Sequence, residues 1–197
     1  GPVMAGGEIF SIKVIGKGGH GAAPHLAIDP ILTAAQIVLA LQSIVARNIE
    51  PLKAAVVSVC TIHAGEAFNV IPASVEMTGT IRTFDKNVRD RVLDQFNKIV
   101  SSIADGFGCR TEINLQRLTP AVINDASTAN LVQNAARHLF PGNIIDTTNY
   151  TTMGSEDMAF ILEKIPGCFI FMGSANPKKG FEASLHHPKF DIDEDVL

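Results

Sequence analysis

Apolar and polar residues alternate along the chain at two different periods. Glu8–Lys17 (EIFSIKVIGK), Ala54–Ile62 (AAVVSVCTI), Ser74–Thr83 (SVEMTGTIRT) and Cys109–Leu118 (CRTEINLQRL) are short runs rich in β-branched residues. They predict four strands. Between the first two, Asp29-Pro30 opens a helix with a capping side chain and a proline at its first position. Ile31, Ala34, Val38, Leu41 and Val45 form its predicted buried stripe. Between the last two, Asp85 caps a long helix whose face is Val88, Val92, Phe96, Ile99, Ile103 and Phe107, with Gly108 ending it. Strand, helix, strand, strand, helix, strand over residues 8–118 is the ferredoxin-like split βαβ order. It predicts one sheet with two helices on one face.

The pattern changes after Pro120. Ser127–Leu139 predicts a helix with Leu131, Val132, Ala135 and Leu139 on one side, and Asn143–Asp146 a short strand. Ser155 is placed to cap a further helix through Ile161 and Leu162, and Gly167–Gly173 (GCFIFMG) is apolar enough for a buried strand. Helix and strand alternate here as in an α/β layer. Two strands are few for such a layer, so the expectation is an incomplete α/β unit. The opening GPVMAGGEIF and the closing FDIDEDVL, in which Asp193 announces a helix, are expected to be interior stretches of a longer chain.

Hydrophobic residues make up 46% and charged residues 18% of the chain, which excludes a disordered tail. A formal charge of −4, no Trp and one Tyr argue against a nucleic-acid partner. No uninterrupted apolar run approaches the roughly 18 residues of a membrane span, so no membrane partner is expected. Cys60, Cys109 and Cys168 are too few and too widely spaced for a disulfide framework or a metal knuckle. Cys60 and Cys168 lie in apolar runs and are expected to be buried free thiols, which fits a reducing, cytoplasmic setting.

Six histidines occur, without a His-Glu-x-x-His motif, a phosphate-binding loop or a Gly-x-Ser-x-Gly elbow. His20 sits in GKGGHGAAPH, where glycines let backbone approach a ligand, and an imidazole there can donate to a carbonyl oxygen gaining charge. A surface histidine in a turn has the same signature. His186, in LHHP, follows the loop SANPKKGFEASL on the far side of the predicted buried strand and is a possible metal ligand or a solvated loop residue. Arg82 is the one charge in Met77–Phe84 and suits a carboxylate, or simply faces outward. Asn69 either satisfies its own turn or binds substrate. Ser155-Glu156-Asp157 is accounted for as a helix cap.

GPVMAGGEIF, GKGGHGAAPH with IDPI, HAGEAFNVIP, GTIRTF, MGSEDMAF and LHHPKFDIDEDVL, in this order, resemble one family. It is the metal-dependent amidohydrolases that include hippurate hydrolase, aminoacylases and plant indoleacetyl-amino-acid hydrolases, relatives of the zinc peptidase superfamily. The resemblance covers essentially the whole chain. It implies an α/β catalytic domain with a ferredoxin-like lid inserted in it: residues 8–118 as a lid that also carries the dimer contact, and residues 1–7 and 119–197 as parts of the catalytic domain. It implies hydrolysis of N-acyl amino acids with two divalent metal ions (Zn, Mn, Ni or Co). His186 matches a metal ligand, and His20 matches the lid histidine that polarises the scissile carbonyl, in several relatives that of the partner subunit. Asn69 and Arg82 match positions that bind the substrate's carboxylate end or the neighbouring amide. The family's other ligands and its general-base Glu correspond to sequence before GPVMA, so this chain is expected to carry an incomplete metal site and to be inactive alone. A dipeptidase or carboxypeptidase activity, or a non-catalytic dimerisation module, are the alternatives.

Overall fold

The computed structural model describes residues 1–142 and 150–196. The strands are β1 (Pro2–Met4), β2 (Gly6–Ile15), β3 (Gly19–His20), β4 (Ala55–Ala64), β5 (Val70–Ile71), β6 (Ser74–Thr83), β7 (Arg110–Thr119) and β8 (Val122–Ile123). The α-helices are α1 (Pro30–Ser43), α2 (Lys86–Gly106), α3 (Ala126–Leu139) and α4 (Met158–Leu162).

Both long helices start where a carboxylate can accept orphan amide protons. Asp29 Oδ1 accepts from the Ile31 N–H at 2.8 Å, and Asp85 Oδ1 from the Asn87 N–H at 2.7 Å. α2 ends as expected at Gly108, whose φ of 75° suits a residue without Cβ. The four long strands form one antiparallel sheet in the order β4-β6-β2-β7. Crossovers through α1 and α2 join next-but-one neighbours, which is the ferredoxin-like topology.

Strand alternation puts Phe10, Ile12 and Val14 of β2 and Val75, Met77 and Ile81 of β6 against the helices, all at most 1% exposed. Each such side chain contributes roughly 1.5–3 kcal/mol when buried. α1 meets them with Ala34, Ile37, Leu41 and, just beyond its end, Ile44. This face is rotated from the expected stripe, and Ile31 and Val45 are exposed. The helix is apolar nearly all round, so periodicity alone could not choose its inner side. The helical stretch Pro30–Asn48 is in fact long and apolar enough by length and composition to cross a membrane, which corrects the expectation from uninterrupted runs. Here its inner side packs in the core. α2 buries Val92, Phe96, Val100 and Ala104, while Phe107 is exposed. Glu8, 4% exposed on the helix side of β2, is neutralised by Arg89 Nε at 2.5 Å.

Beyond β7 the packing is looser. β1 pairs with β8, and Ala5 N–H donates to the Thr152 carbonyl at 3.1 Å. α3 forms as expected but buries no residue completely, and Leu131 and Leu139 are 70% and 67% exposed. The expected strand Gly167–Gly173 is not a strand. Its polar backbone is met partly by one side chain: Asn124 donates to the Phe169 carbonyl and accepts its N–H, both at 2.8 Å. The strand expected at Asn143–Asp146 lies outside the described residues. Asp193 does begin a short helical turn, Glu194–Val196, and accepts from Lys179 Nζ at 2.7 Å and Asn176 Nδ2 at 2.6 Å.

Cys109 is buried, Cys168 half-buried and Cys60 exposed, the last against expectation. Val59 pairs with Gly79 and Thr61 with Thr78, so Cys60 is the extra residue of a β-bulge and falls out of the alternation.

The α3 cap has a pH signature. Asp125 accepts from the hydroxyls of Ser127 and Thr128 and from the Thr128 N–H, and these bonds pull its carboxyl from 3.8 down to about 2, the Ser127 hydroxyl most of all. A carboxyl lowered on folding stabilises the fold above its unfolded value and loses that contribution as pH falls toward the folded one. The melting temperature of the wild type is therefore expected to fall more steeply than that of Asp125→Asn between about pH 4 and pH 2. Parallel melting curves across that window would exclude this role.

Candidate functional site

The glycine-rich loop after β2 is fixed by backbone bonds to its neighbours. The Gly16 N–H donates to the Ala73 carbonyl at 2.9 Å, and Lys17 and Ile28 exchange bonds at 2.8 and 2.9 Å. β3 then pairs with β5, setting His20 opposite Val70, and the Gly21 N–H donates to the Asn69 carbonyl at 2.8 Å. His20 and Asn69 are thus neighbours on one projecting tip, and both are exposed. His20 Nδ1 accepts the Ala22 N–H at 3.0 Å. That bond assigns the proton of the neutral ring to Nε2, leaving an N–H donor directed away from the loop's own backbone.

Arg82 lies at the other end of the sheet. Ile15 pairs with Ser74 beside the tip, while Gly7 pairs with Arg82 eight residues further along β6. At roughly 3.3 Å per residue the two ends are about 26 Å apart. One small ligand cannot bridge His20 and Arg82 of the same chain. Arg82 Nη1 donates to the Thr80 hydroxyl and, at 3.1 Å, to the Ile81 carbonyl. Its Nε and Nη2 have no partner among the described residues, and no carboxylate among them comes within ion-pair distance. The guanidinium is half-buried. A Cβ built on Gly7 would stand 3.1 Å from Arg82 Nη1 and 3.0 Å from Ser155 Oγ, so Ser155 converges on the same spot.

Ser155 does not cap the following helix. The N-cap position of α4 is Asp157, and Glu156 Oε1 accepts the Asp157 N–H at 3.1 Å. The Ser155 hydroxyl is shut off from water and has no hydrogen-bond partner among the described residues. The Ser155-Glu156-Asp157 motif is plain in the sequence, but a helix cap accounts for its serine there equally well, so the sequence carries no signal that this hydroxyl lies elsewhere.

His186 is exposed and is the one non-glycine residue with positive φ among those described, at 69°. A non-glycine residue is uncommon in that conformation and often marks a functional loop. Its neighbour His187 is taken up by the turn, accepting the Lys189 N–H on Nδ1 at 3.1 Å. Among the described residues no three His, Cys, Asp or Glu side chains converge as a metal site.

The strand β4 borders the sheet with an outer edge unpaired among the described residues. Beside it the outer side of α1 presents Leu32 and Leu39, 50% and 67% exposed, and β4 itself Ile62, 53% exposed. Ala35, Val38, Leu39, Val59 and Ile62 line an apolar groove between helix and strand. An open edge next to exposed aliphatics is a template for a further strand.

Residues 5–107 match the family described as the peptidase dimerisation domain. The chain belongs to this family. His20, Asn69 and Arg82 lie inside the matched dimerisation domain, and Ser155 and His186 outside it. The chain is 40% identical over 198 residues to thermostable carboxypeptidase 2 of Saccharolobus solfataricus, covering 100% of this chain and 49% of that protein. It is 40% identical over 203 residues to N-acetylcysteine deacetylase of Bacillus subtilis, covering 100% and 50%. A Bacillus subtilis crystal structure, described as a dinuclear metal binding peptidase from the M20 family, matches with a TM-score of 0.75 at 35% identity, covering 100% of this chain and 47% of that one. The dimerisation-domain chain spans about half the length of the curated relatives it matches.

Proposed function

We propose that the protein containing this chain hydrolyses the amide bond of N-acyl amino acids, and that it works as a homodimer in which the tip of one subunit serves the cleft of the other. The observation that carries this reading is the separation of His20 and Asn69 from Arg82 by the length of the sheet. Two groups suited to one small substrate, a carbonyl-directed N–H and an unpaired guanidinium, are out of reach of each other in one chain. A second subunit pairing along β4 and the outer side of α1 restores the match.

In this reading the His20 Nε2–H donates to the scissile carbonyl oxygen as negative charge develops on it. The Asn69 side chain holds the neighbouring amide, and Arg82 holds the carboxylate of the amino-acid part. A pair of divalent cations of unspecified identity belongs to this reading, with His186 as the contribution of this chain. One exposed histidine is not a site for two ions, so the 197-residue chain alone is proposed to be inactive. Residues 1–7 and 119–197 are assigned to the catalytic domain and residues 8–118 to the lid.

Carboxypeptidase action is the second reading, supported by the similarity to thermostable carboxypeptidase 2. Both substrates present an amide next to a free carboxylate, which is the chemistry Arg82 suits. The test is the whole protein assayed on N-acetyl amino acids and on dipeptides, with and without a chelator. Chelator-sensitive turnover at least about tenfold better (kcat/KM) on the N-acetyl compounds is expected. A preference for dipeptides would select the second reading, and no turnover of either would refute both.

A further inference from the structure

The tip that carries His20 also carries two apolar side chains that no described residue covers. Phe68 is fully exposed and Val70 is 52% exposed. The Val70 N–H donates to the Ala67 carbonyl at 3.4 Å, so Phe68 and Asn69 are the two corners of a turn. A turn corner favours proline, glycine or a short polar residue, and a large aromatic there adds nothing to the fold. Val70 lies directly opposite His20 across the β3–β5 pair. Because the Gly21 N–H bonds the Asn69 carbonyl, Gly21–Asn69 is the hydrogen-bonded pair. His20–Val70 is then the neighbouring non-hydrogen-bonded pair, in which opposed side chains stand closest. The Val70 methyls therefore flank the imidazole on its own face of the tip. One short segment sets a carbonyl-directed N–H, an amide and two uncovered apolar groups side by side. In an N-acyl amino acid the acyl chain is bonded to the same carbon as the oxygen that His20 serves. The carboxylate lies on the far side of the amide, toward Arg82. A group beside the His20 ring meets the acyl chain first.

We propose that Phe68 and Val70 are specificity-determining residues that form an apolar wall for the acyl group of the substrate, supplied across the dimer together with His20. The proposal rests on the N-acyl amino acid reading above and adds a preference to it: acyl groups longer than acetyl are the better substrates. Closing the tip on the partner's cleft takes both side chains and the acyl chain out of water together, a gain that the single chain leaves unused.

The test is kcat/KM of the whole protein on N-acetyl-methionine and N-butanoyl-methionine, with N-acetyl-alanine as a substrate changed only in its amino-acid part. The wild type is expected to favour the butanoyl over the acetyl compound about tenfold, near the worth of two methylenes taken out of water. Phe68→Ala is expected to reduce that ratio to about twofold, and Val70→Ser to reduce it severalfold. Phe68→Leu, which stays apolar, is expected to keep most of it. The methionine-over-alanine ratio of the acetyl compounds is expected to be unchanged in all three variants. Both side chains are exposed, so melting curves are expected to match the wild type. Equal loss on every substrate would mean that the tip only docks on the partner protein. A fall in the methionine-over-alanine ratio instead would put the wall on the amino-acid side. Either result overturns the proposal, and so does a wild type indifferent to acyl length. Turnover with an acyl ratio that ignores Phe68 and Val70 removes the wall alone and leaves the hydrolase reading standing. No turnover of any N-acyl compound removes that reading, and the wall with it.

Discussion

Replacing His20 by alanine is expected to lower kcat of the whole protein about 10²–10³-fold, the usual effect of removing one donor to a developing oxyanion. KM is expected to move much less, because the ground-state carbonyl gains little from that bond. The sharper result concerns which subunit the ring serves. His20 and Asn69 project from a tip about 26 Å along the sheet from Arg82. In the proposed dimer, His20→Ala spoils the partner's cleft and His186→Ala spoils its own. Each variant alone is expected to be inactive. Co-expressed, they form mixed dimers with one cleft intact, and random pairing is expected to restore about a quarter of the wild-type activity. Leu39→Glu, which puts a charge into the exposed α1–β4 groove, is expected to yield monomers by light scattering and to reduce kcat to the level of His20→Ala. Mixed variants that recover nothing, or a Leu39→Glu monomer with full activity, would show that each cleft is built within one chain.

The elements that survive from sequence to structure are those whose signals are local. β6 occupies the expected Ser74–Thr83 because every second residue is apolar, and both long helices begin at the aspartates whose side chains cap them. Facing and partnership were harder to see. α1 is apolar on both sides, and the outer one remains exposed in the single chain. The bulge at Cys60 reverses the alternation of β4 at a residue that looked interior. Gly167–Gly173 has the composition of a buried strand, but a strand also needs a neighbouring backbone, and the side chain of Asn124 supplies only a fragment of one. The candidate site divides in the same way. His20 and Asn69 stand out individually, and their adjacency comes from the β3–β5 pairing of four residues. Gly7, Arg82 and Ser155 converge through a cross-strand register and a loop about 150 residues away, which no local pattern encodes.

Gly79→Ala is expected to destabilise the chain by roughly 3 kcal/mol or more, beyond the common range for overpacking. Gly79 sits mid-strand in β6, paired with Phe10 of β2 and Val59 of β4. An alanine Cβ would stand 2.0 Å from the Ser58 carbonyl oxygen and 2.3 Å from Phe10 Cζ. The ring is trapped, because Phe10 is fully buried and packs on Phe96 with centroids 4.7 Å apart. The carbonyl belongs to backbone next to the bulge, and moving it opens the β4–β6 ladder. The glycine is therefore needed for space rather than for an unusual φ. The two obstacles can be told apart. Phe10→Ala alone is expected to cost about 3–5 kcal/mol through the cavity it leaves. Adding Gly79→Ala to it removes the ring clash and keeps the carbonyl clash, so the double variant is expected to be less stable than Phe10→Ala. Gly106→Ala, at a helical position with open space around it, is the control and is expected to be neutral or stabilising by up to about 1 kcal/mol. Chemical denaturation followed by circular dichroism measures all four. A Gly79→Ala midpoint equal to that of the wild type would mean that β4 does not approach β6 as closely as the structure has it, and the position of the unpaired β4 edge proposed for the dimer would fall with it.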